Sequence, residues 1–431
     1  MINPKNLAIK NTMHATRERR AGMLCRVFEV KIVRGKLSHE KRRHLEMLFL
    51  EAKWLRNSEL SKDDIALLDR NAKIATVKVG DDFEVRDLTH LGSQMKQDIV
   101  DQIKFDIRGL AAAKKRGRKV GKLKFKSYCN SIPLRQYGST FRIDFAKNTI
   151  SIQGFKKPFK VRGLNQIPEG CEIANAKLVR KTSGYYFHIT TYSVPEEEDP
   201  TGALCGTDFG IKTSITTSDG DKYDISVSES HDVKLASKKL NRSYKRNGGI
   251  KSNNHNRRQK RLRRAYERQN NRKADMANKV VHKLLENNDI IAIQDEMIAN
   301  WHHGAFGKHV QHSAMGKIKS KLKHSSKTIV VPRNFPSTQK CPVCGKNTKH
   351  PLSKRDYDCS YCGYHHPSRD VKAAQMVLYE ALEIASNDNV SLERRTQSPV
   401  ETTPSDCNGI GPFVDRIAFK VPSLKQEAQV L

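Results

Sequence analysis

The sequence predicts an α+β multidomain chain in which a helix-bearing β-rich region, an α/β domain and a small cysteine-knuckle module follow one another. Three observations predict it. Short alternating segments punctuated by Gly, Asn and Pro fill residues 128–193. Beyond Thr201 the order is a strand holding an acid, long helices, an apolar strand ending in acids, and an acid that opens a helix. Before that last acid stand Cys341, Cys344, Cys359 and Cys362, in the pattern C-x2-C-x14-C-x2-C.

Residues 24–33, LCRVFEVKIV, alternate as a strand does. The polar, basic residues before them are expected to form a loose arm. From Ser38 the spacing turns helical, with Leu45, Leu48, Leu50, Trp54 and Leu55 mostly at helical intervals. A second helix is expected from Ser93 as N-cap, its stripe being Met95, Ile99, Ile103, Ile107 and Leu110. From Lys114 to Lys126 eight of thirteen residues are basic and none is acidic. STFRIDF, NTISIQG, KPFKVRG and AKLVRKTSGYYFHITTYSV then read as antiparallel strands of a small barrel. Lys181-Thr182-Ser183-Gly184 is the expected hairpin turn, and the strand at 24–33 is expected to join the same sheet. EEEDP at 196–200 reads as a linker.

In the second half, LCGTDFGIKTSITTSDGDKYDIS reads as two strands about a Ser-Asp-Gly-Asp turn. A helical region runs from Lys234 to Asn287, broken at Asn247-Gly248-Gly249. Nine of the seventeen residues from Arg257 to Lys273 are Lys or Arg. Met276, Val280, Val281, Leu284 and Leu285 make an apolar stripe, and IIAI at 290–293 reads as a strand buried on both faces. A helix is expected after Arg369, and the Ser-, Pro- and Thr-rich tail beyond Asn387 is expected to be disordered.

Composition bounds the function. The 431 residues include 79 Lys+Arg against 46 Asp+Glu, a formal net charge of +33, which calls for a polyanionic partner, most simply nucleic acid. No apolar run approaches the roughly eighteen residues of a membrane span. The opening MINPKNLAIK lacks a signal-peptide core, so membrane and secretory roles are excluded at this stage. Nine cysteines, an odd number with one tight cluster, argue for a reducing compartment and a metal site over a disulfide framework.

The two knuckles, CPVCG and CSYCG, would hold one ion in a tetrahedral all-sulfur shell, which suits Zn²⁺. His365 and His366 lie close, but four cysteines already fill the shell. A saturated shell leaves no open position, so this zinc would be structural. Chemistry then falls to acids. Asp208 lies in the strand GTDFG, Asp295 and Glu296 end the IIAI strand, and Asp370 precedes a helix. Hard Mg²⁺ or Mn²⁺ prefers oxygen ligands, and a two-ion nuclease gathers carboxylates from separate segments. The order of strand acid, strand acid and helix acid suits an RNase H-like layout. The arginine-rich helix, too cationic for internal i,i+4 pairing, is expected to track a phosphate backbone. Trp301, His302, His303, His309 and His312 are open to base stacking or to a satisfied loop.

GTDFGIKTSITTSDG, NRKADMANKVVHKLL, IIAIQDEMIANWH and PSTQKCPVCG…YDCSYCGYHHPSRDVKAA together resemble the split RuvC nuclease domain of transposon-encoded TnpB proteins, a layout shared by compact type V CRISPR effectors. The resemblance covers residues 201–385 motif by motif. More loosely, residues 24–200 resemble the family's helical recognition lobe inserted into a β-barrel wedge domain. It implies an arm and first wedge strand at 1–37, a recognition lobe at 38–120 and a wedge barrel at 121–200. A RuvC domain would follow at 201–335, a zinc ribbon at 336–366, the third RuvC motif at 367–388 and a tail at 389–431. It implies a cytoplasmic prokaryotic RNA-guided DNA endonuclease, with guide RNA from the transposon end, double-stranded target DNA beside a short adjacent motif, structural Zn²⁺ and catalytic Mg²⁺ or Mn²⁺. Carried over by position, Asp208 and Asp370 match the first and third acids, and the four cysteines match the ribbon. Lys115, Arg116, Arg118, Lys119, Arg257, Arg258, Arg261, Arg264 and Arg369 are the expected nucleic-acid contacts.

Two positions depart from the family. Relatives read I-x-x-E-D-L at the second motif, where this chain has Gln294; Glu296, two residues on, shares a strand face with position 294 and is the expected second acid, with Asp295 in reserve. Lys372 stands where relatives often have asparagine. The competing readings are a guided repressor that does not cut, a compact type V CRISPR effector, an unguided RuvC-type nuclease and a simple zinc-ribbon DNA-binding factor.

Overall fold

The computed structural model describes residues 4–195 and 201–388, apart from 212, 305 and 352. The expected linker at 196–200 and the tail from 389 lie outside the described residues. The chain divides into two units, Met1–Pro195 and Glu196–Leu431.

The first unit contains α1 (Pro4–Ala21), β1 (Leu24–Ile32), α2 (His39–Leu60), β2 (Ile74–Val79), β3 (Asp82–Asp87), α3 (Ser93–Lys115), β4 (Ser131–Leu134), β5 (Phe141–Asp144), β6 (Thr149–Ile152), β7 (Phe159–Arg162), β8 (Glu172–Lys181) and β9 (Gly184–Ser193). The expected loose arm is instead the helix α1. Its Arg19 and Arg20 both grip Glu172, whose carboxyl the two hydrogen-bonded guanidiniums hold down at about 2. Arg20 also lies 4.6 Å from the centroid of the Tyr192 ring.

The strands pair in the order β4-β8-β9-β1-β7-β6-β5, so β1 joins the later strands across the inserted helices, as expected. The ladder ends at β4 and β5. The expected barrel is therefore an open, near-barrel sheet. Lys181 pairs with Gly184 about a two-residue turn. α2 begins where Ser38 accepts the Lys41 amide, and it buries Leu45, Leu48, Phe49 and Leu55. For α3 the N-cap is Gly92, with Ser93 already inside the helix. Between the helices lies a hairpin, β2–β3, that the sequence reading assigned to a helical lobe. Glu51, fully buried on α2, ties the end of this hairpin region down by accepting the backbone N–H groups of Thr89, His90 and Leu91.

The second unit contains β10 (Leu204–Phe209), β11 (Ile215–Thr217), β12 (Lys222–Tyr223), α4 (His231–Arg246), α5 (Asn253–Asn287), β13 (Ile290–Gln294), α6 (Gly307–His312), α7 (Met315–Lys323), β14 (Thr328–Val331), β15 (Tyr357–Asp358), β16 (His365–His366) and α8 (Arg369–Asp388). The segment expected as two strands is three, and the five-stranded sheet runs β12-β11-β10-β13-β14. β10 pairs antiparallel with β11 but parallel with β13, which pairs parallel with β14. All five residues of β13 are buried, as the unbroken apolar run requires. One face of the sheet packs against α5 and α7 through Val281, Leu284, Ile318 and Leu322. α8 covers β10, β13 and β14.

The crossing of α8 over β10 depends on Gly206. A Cβ there would lie 2.0 Å from the Ala374 carbonyl oxygen and 2.9 Å from Leu378 Cβ. The buried Ala373 and Ala374 keep the helix side equally thin. This close approach brings Asp208, two residues along β10, to the level of Asp370 in the first turn of α8. We expect Gly206→Ala to cost about 1–3 kcal/mol or more by overpacking, read as a lower thermal midpoint. Gly316→Ala, with nothing within 4 Å of its Cβ, should leave the midpoint unchanged or slightly raised.

Candidate metal centres and basic surfaces

The two cysteine knuckles fold alike. In the first, Cys341 N donates to Lys346 O and Gly345 N to Cys341 O; in the second, Cys359 N donates to Tyr364 O and Gly363 N to Cys359 O. Gly345 and Gly363 take φ of 70° and 74°, the left-handed conformation that turns each loop back on itself. The four sulfurs lie within 4.8 Å of one another, with Cys341–Cys362 at 3.6 Å and Cys344–Cys359 at 3.5 Å. A tetrahedral ion with bonds of about 2.3 Å needs sulfurs about 3.8 Å apart, so the donor set and spacing fit Zn²⁺. His365 and His366 are engaged elsewhere: His365 Nδ1 meets Asp358, and His366 Nδ1 accepts the Ser368 amide. A surface group of Asp356, Asp358 and His365 also lies within ligand range, but Lys354 already pairs with Asp358.

Glu296 and Asp370 lie within electrostatic reach of Asp208. Asp208 sits on the central strand, and its carboxyl is pushed well above the ordinary range by burial, then by the charges of Glu296 and Asp370; Arg369 and Lys372 oppose the shift. Burial lifts Glu296 to about 7 against the pull of Lys319. Glu296 Oε2 is buried with no hydrogen-bond partner, an uncommon state for a polar atom. An orphaned carboxylate oxygen beside two further carboxylates fits a hard divalent cation. Among the described residues the three acids do not form a group within 4.8 Å as the cysteines do.

The second acid reaches this place by a route other than strand alternation. β13 stops at Gln294, and Glu296 N bonds back to Gln294 O at 2.9 Å, turning the chain. Asp295 goes to a different side, where it meets Lys323 at 3.3 Å, Lys319 at 3.4 Å and Arg333 at 3.8 Å. Burial opposes its ionisation, but the bonds and charge of Lys323 and Lys319 outweigh it and hold the carboxyl below its ordinary value. Gln294 is buried and spends its amide on the loop after β14. Lys319, on α7, also donates to the Glu296 carbonyl.

Among the expected nucleic-acid contacts, Lys115, Arg116, Arg118 and Lys119 are exposed at and beyond the end of α3. On α5, His255, Ala265, Gln269, Lys273, Ala277, Val281 and Leu284 form the buried face. Arg257 and Arg261 are exposed, while Arg258 and Arg264 are half-buried. Arg369 is a correction: it is buried, and its guanidinium donates to Pro351 O at 3.0 Å. Lys372 is fully buried, its ammonium pulled down to about 8 by burial, so it is no surface contact either. Trp301 packs half-buried against the core while His302 and His303 are exposed. Sequence reasoning missed Arg355, which the ribbon brings to 3.8 Å from Asp370. No periodicity or motif marks it; only the fold of the ribbon places it.

Comparison with known proteins follows this geometry. The OrfB_IS605 family, described as "Probable transposase", matches residues 187–301, and a Cas12f1-like TNB domain matches residues 314–377. A curated relative from Streptomyces pristinaespiralis, named "Putative RNA-guided DNA endonuclease", is 27% identical over 250 residues, 56% of this chain and 61% of the relative. The match thus spans about three fifths of that relative's length. Looser likenesses join the chain to a Cas12f1–sgRNA–target DNA complex (14% identity, 82% of this chain, 99% of that one, TM-score 0.27) and to a mini-RNA-guided endonuclease, CRISPR-Cas_phi3 (10% identity, 88% and 97%, TM-score 0.38). The first match spans Asp208 and Glu296, and the second spans the four cysteines and Asp370. Residues 187–301 are thus similar to that transposase family and residues 314–377 to the Cas12f1-like domain. In combining the two the chain is TnpB-like.

The raised Glu296 carboxyl gives a signed pH prediction. Folding keeps it protonated to about pH 7, against an ordinary value of 4.5. The stability this confers is full below pH 4.5 and is lost as pH rises through 7. In chelator, Glu296→Gln should therefore melt a few degrees above the parent at pH 8. The gap should close as pH falls towards 4.5.

Proposed function

We propose that this chain is an RNA-guided DNA endonuclease encoded by a transposon, hydrolysing phosphodiester bonds at a RuvC-type site made by Asp208, Glu296 and Asp370. The observation that supports the reading is that Asp208, on the central strand, lies within electrostatic reach of Glu296, just past the end of its parallel neighbour, and of Asp370, in the first turn of the covering helix. The relative's name and the transposase match support guidance by RNA and a mobile-element origin.

Asp208, Glu296 and Asp370 would hold Mg²⁺ or Mn²⁺, which when bound supplies an activated water and stabilises the leaving 3′ oxygen. The protein's own part is positioning. Burial leaves Glu296 Oε2 without a competing donor. Arg355, half-exposed beside Asp370, is placed to meet a phosphate oxygen as the strand enters. The open face of α5, with Arg257 and Arg261, and the basic run from Lys115 to Lys119 provide backbone contacts to guide RNA and target DNA. Zn²⁺ at the four cysteines would be structural, since its shell is saturated. A guided binder that does not cut would carry the electrostatic cost of three crowded acids without using them.

Expressed with its flanking element DNA, the protein should purify with one discrete RNA that carries a variable guide end. Heterogeneous RNA or none would point to an unguided nuclease. Loaded with that RNA, Asp208→Ala should bind target DNA within about twofold of the parent yet lose Mg²⁺-dependent cleavage. Retained cleavage would remove Asp208 from the site.

A further inference from the structure

The two positions that depart from the family meet on one residue. Gln294 closes β13, two residues before Glu296, and Lys372 lies one half-turn beyond Asp370 on α8. Between them runs the segment 332–340, which leads from β14 to the first knuckle. Gln294 Nε2 faces three of its carbonyls, Phe335 O at 2.7 Å, Arg333 O at 3.0 Å and Pro332 O at 3.4 Å. Gln294 Oε1 accepts from Ser337 Oγ at 3.1 Å. From the other side, Lys372 Nζ donates to Ser337 O at 3.0 Å and Lys340 O at 2.9 Å, and it stands 3.8 Å from the centroid of the Tyr357 ring. Gln294, Ser337 and Lys372 are all buried.

The chemistry of each departure follows from this loop. A glutamate at 294 when ionised has no N–H to offer three carbonyl oxygens and would set a negative charge against them. An asparagine at 372 is too short to span from α8 to both carbonyls and would leave them without their donor. A change at either position therefore requires the loop that the other one holds.

We propose that Gln294 and Lys372 are positioning residues that brace Ser337 from opposite sides and so set the separation of Glu296 and Asp370. This rests on the reading of those acids as one divalent-ion site. The brace fixes the strand end that carries one acid, the helix start that carries the other, and the root of the ribbon between them.

The test is a double-mutant cycle on the full RNA-loaded protein with Gln294→Glu, Lys372→Asn and the double variant. Mn²⁺ affinity is read by calorimetry without DNA, and zinc content and melting temperature are read in parallel. Each single change should weaken Mn²⁺ binding by about 10–100-fold, as loss of groups that orient ligands does, with one zinc per chain retained. The double change should lose markedly less than the product of the singles, because the partners share Ser337. If the singles do not fold, Lys372→Met, which keeps the length of the side chain but removes the donor to Ser337 O and Lys340 O, should show the same loss, and Ser337→Ala, which removes only the bond to Gln294 Oε1, a smaller one. Unchanged Mn²⁺ affinity, multiplicative losses, or tighter binding on restoring glutamate at 294 would overturn the brace. A parent protein that binds no Mn²⁺ would overturn the acid-site reading and the brace's role with it.

Discussion

Burial of acidic side chains about the central strand is the constraint on which the candidate site of the second unit depends, because a buried carboxyl resists ionisation. Backbone geometry sets where each acid sits. Asp208 is fixed mid-strand, Glu296 by a hydrogen-bonded turn after β13, and Asp370 by the start of α8. Burial raises both the Asp208 and Glu296 carboxyls, with the charges of Glu296 and Asp370 adding to the shift of Asp208, and a bound cation would oppose it.

What holds the acids at these positions is packing and buried hydrogen bonding. α8 lies on β10 at a distance only Gly206 permits, and the fully buried β13 anchors the sheet centre. Lys319 clamps the Glu296 turn through its carbonyl, and Asp295 keeps that lysine and two further cations occupied outside the cleft. The ribbon is joined to the acid helix by Lys372, lying on the buried Tyr357 ring, and by Arg369 reaching Pro351. The ribbon in this way holds the start of α8 and presents Arg355 beside Asp370.

Much of this was legible in the sequence because periodicity and spacing report local geometry directly. The C-x2-C pairs announced two knuckles, the unbroken IIAI announced a doubly covered strand, and Asn247-Gly248-Gly249 marked the break between α4 and α5. Other features stayed hidden for physical reasons. The β2–β3 hairpin lies between two helical patterns and turns on Gly80, whose φ of 63° no neighbouring alternation signals strongly. The basic segment before β1 mixes good helix formers with Asn, Thr and His, and only the distant Glu172 shows where its end docks. Arg369 reads as a surface cation in sequence, yet its guanidinium is buried against the ribbon backbone. The choice of Glu296 over Asp295 rested on strand alternation, whereas in the structure a turn separates the two side chains.

The account's central claim is that Asp208, Glu296 and Asp370 share divalent-ion binding. Anomalous scattering from crystals grown in Mn²⁺ tests it most directly. The account predicts strong manganese peaks within bonding distance of Asp208 and of at least one of the other two carboxylates, with Glu296 Oε2 no longer without a partner. Manganese elsewhere only, or an Asp208 carboxylate that no ion touches, would contradict it.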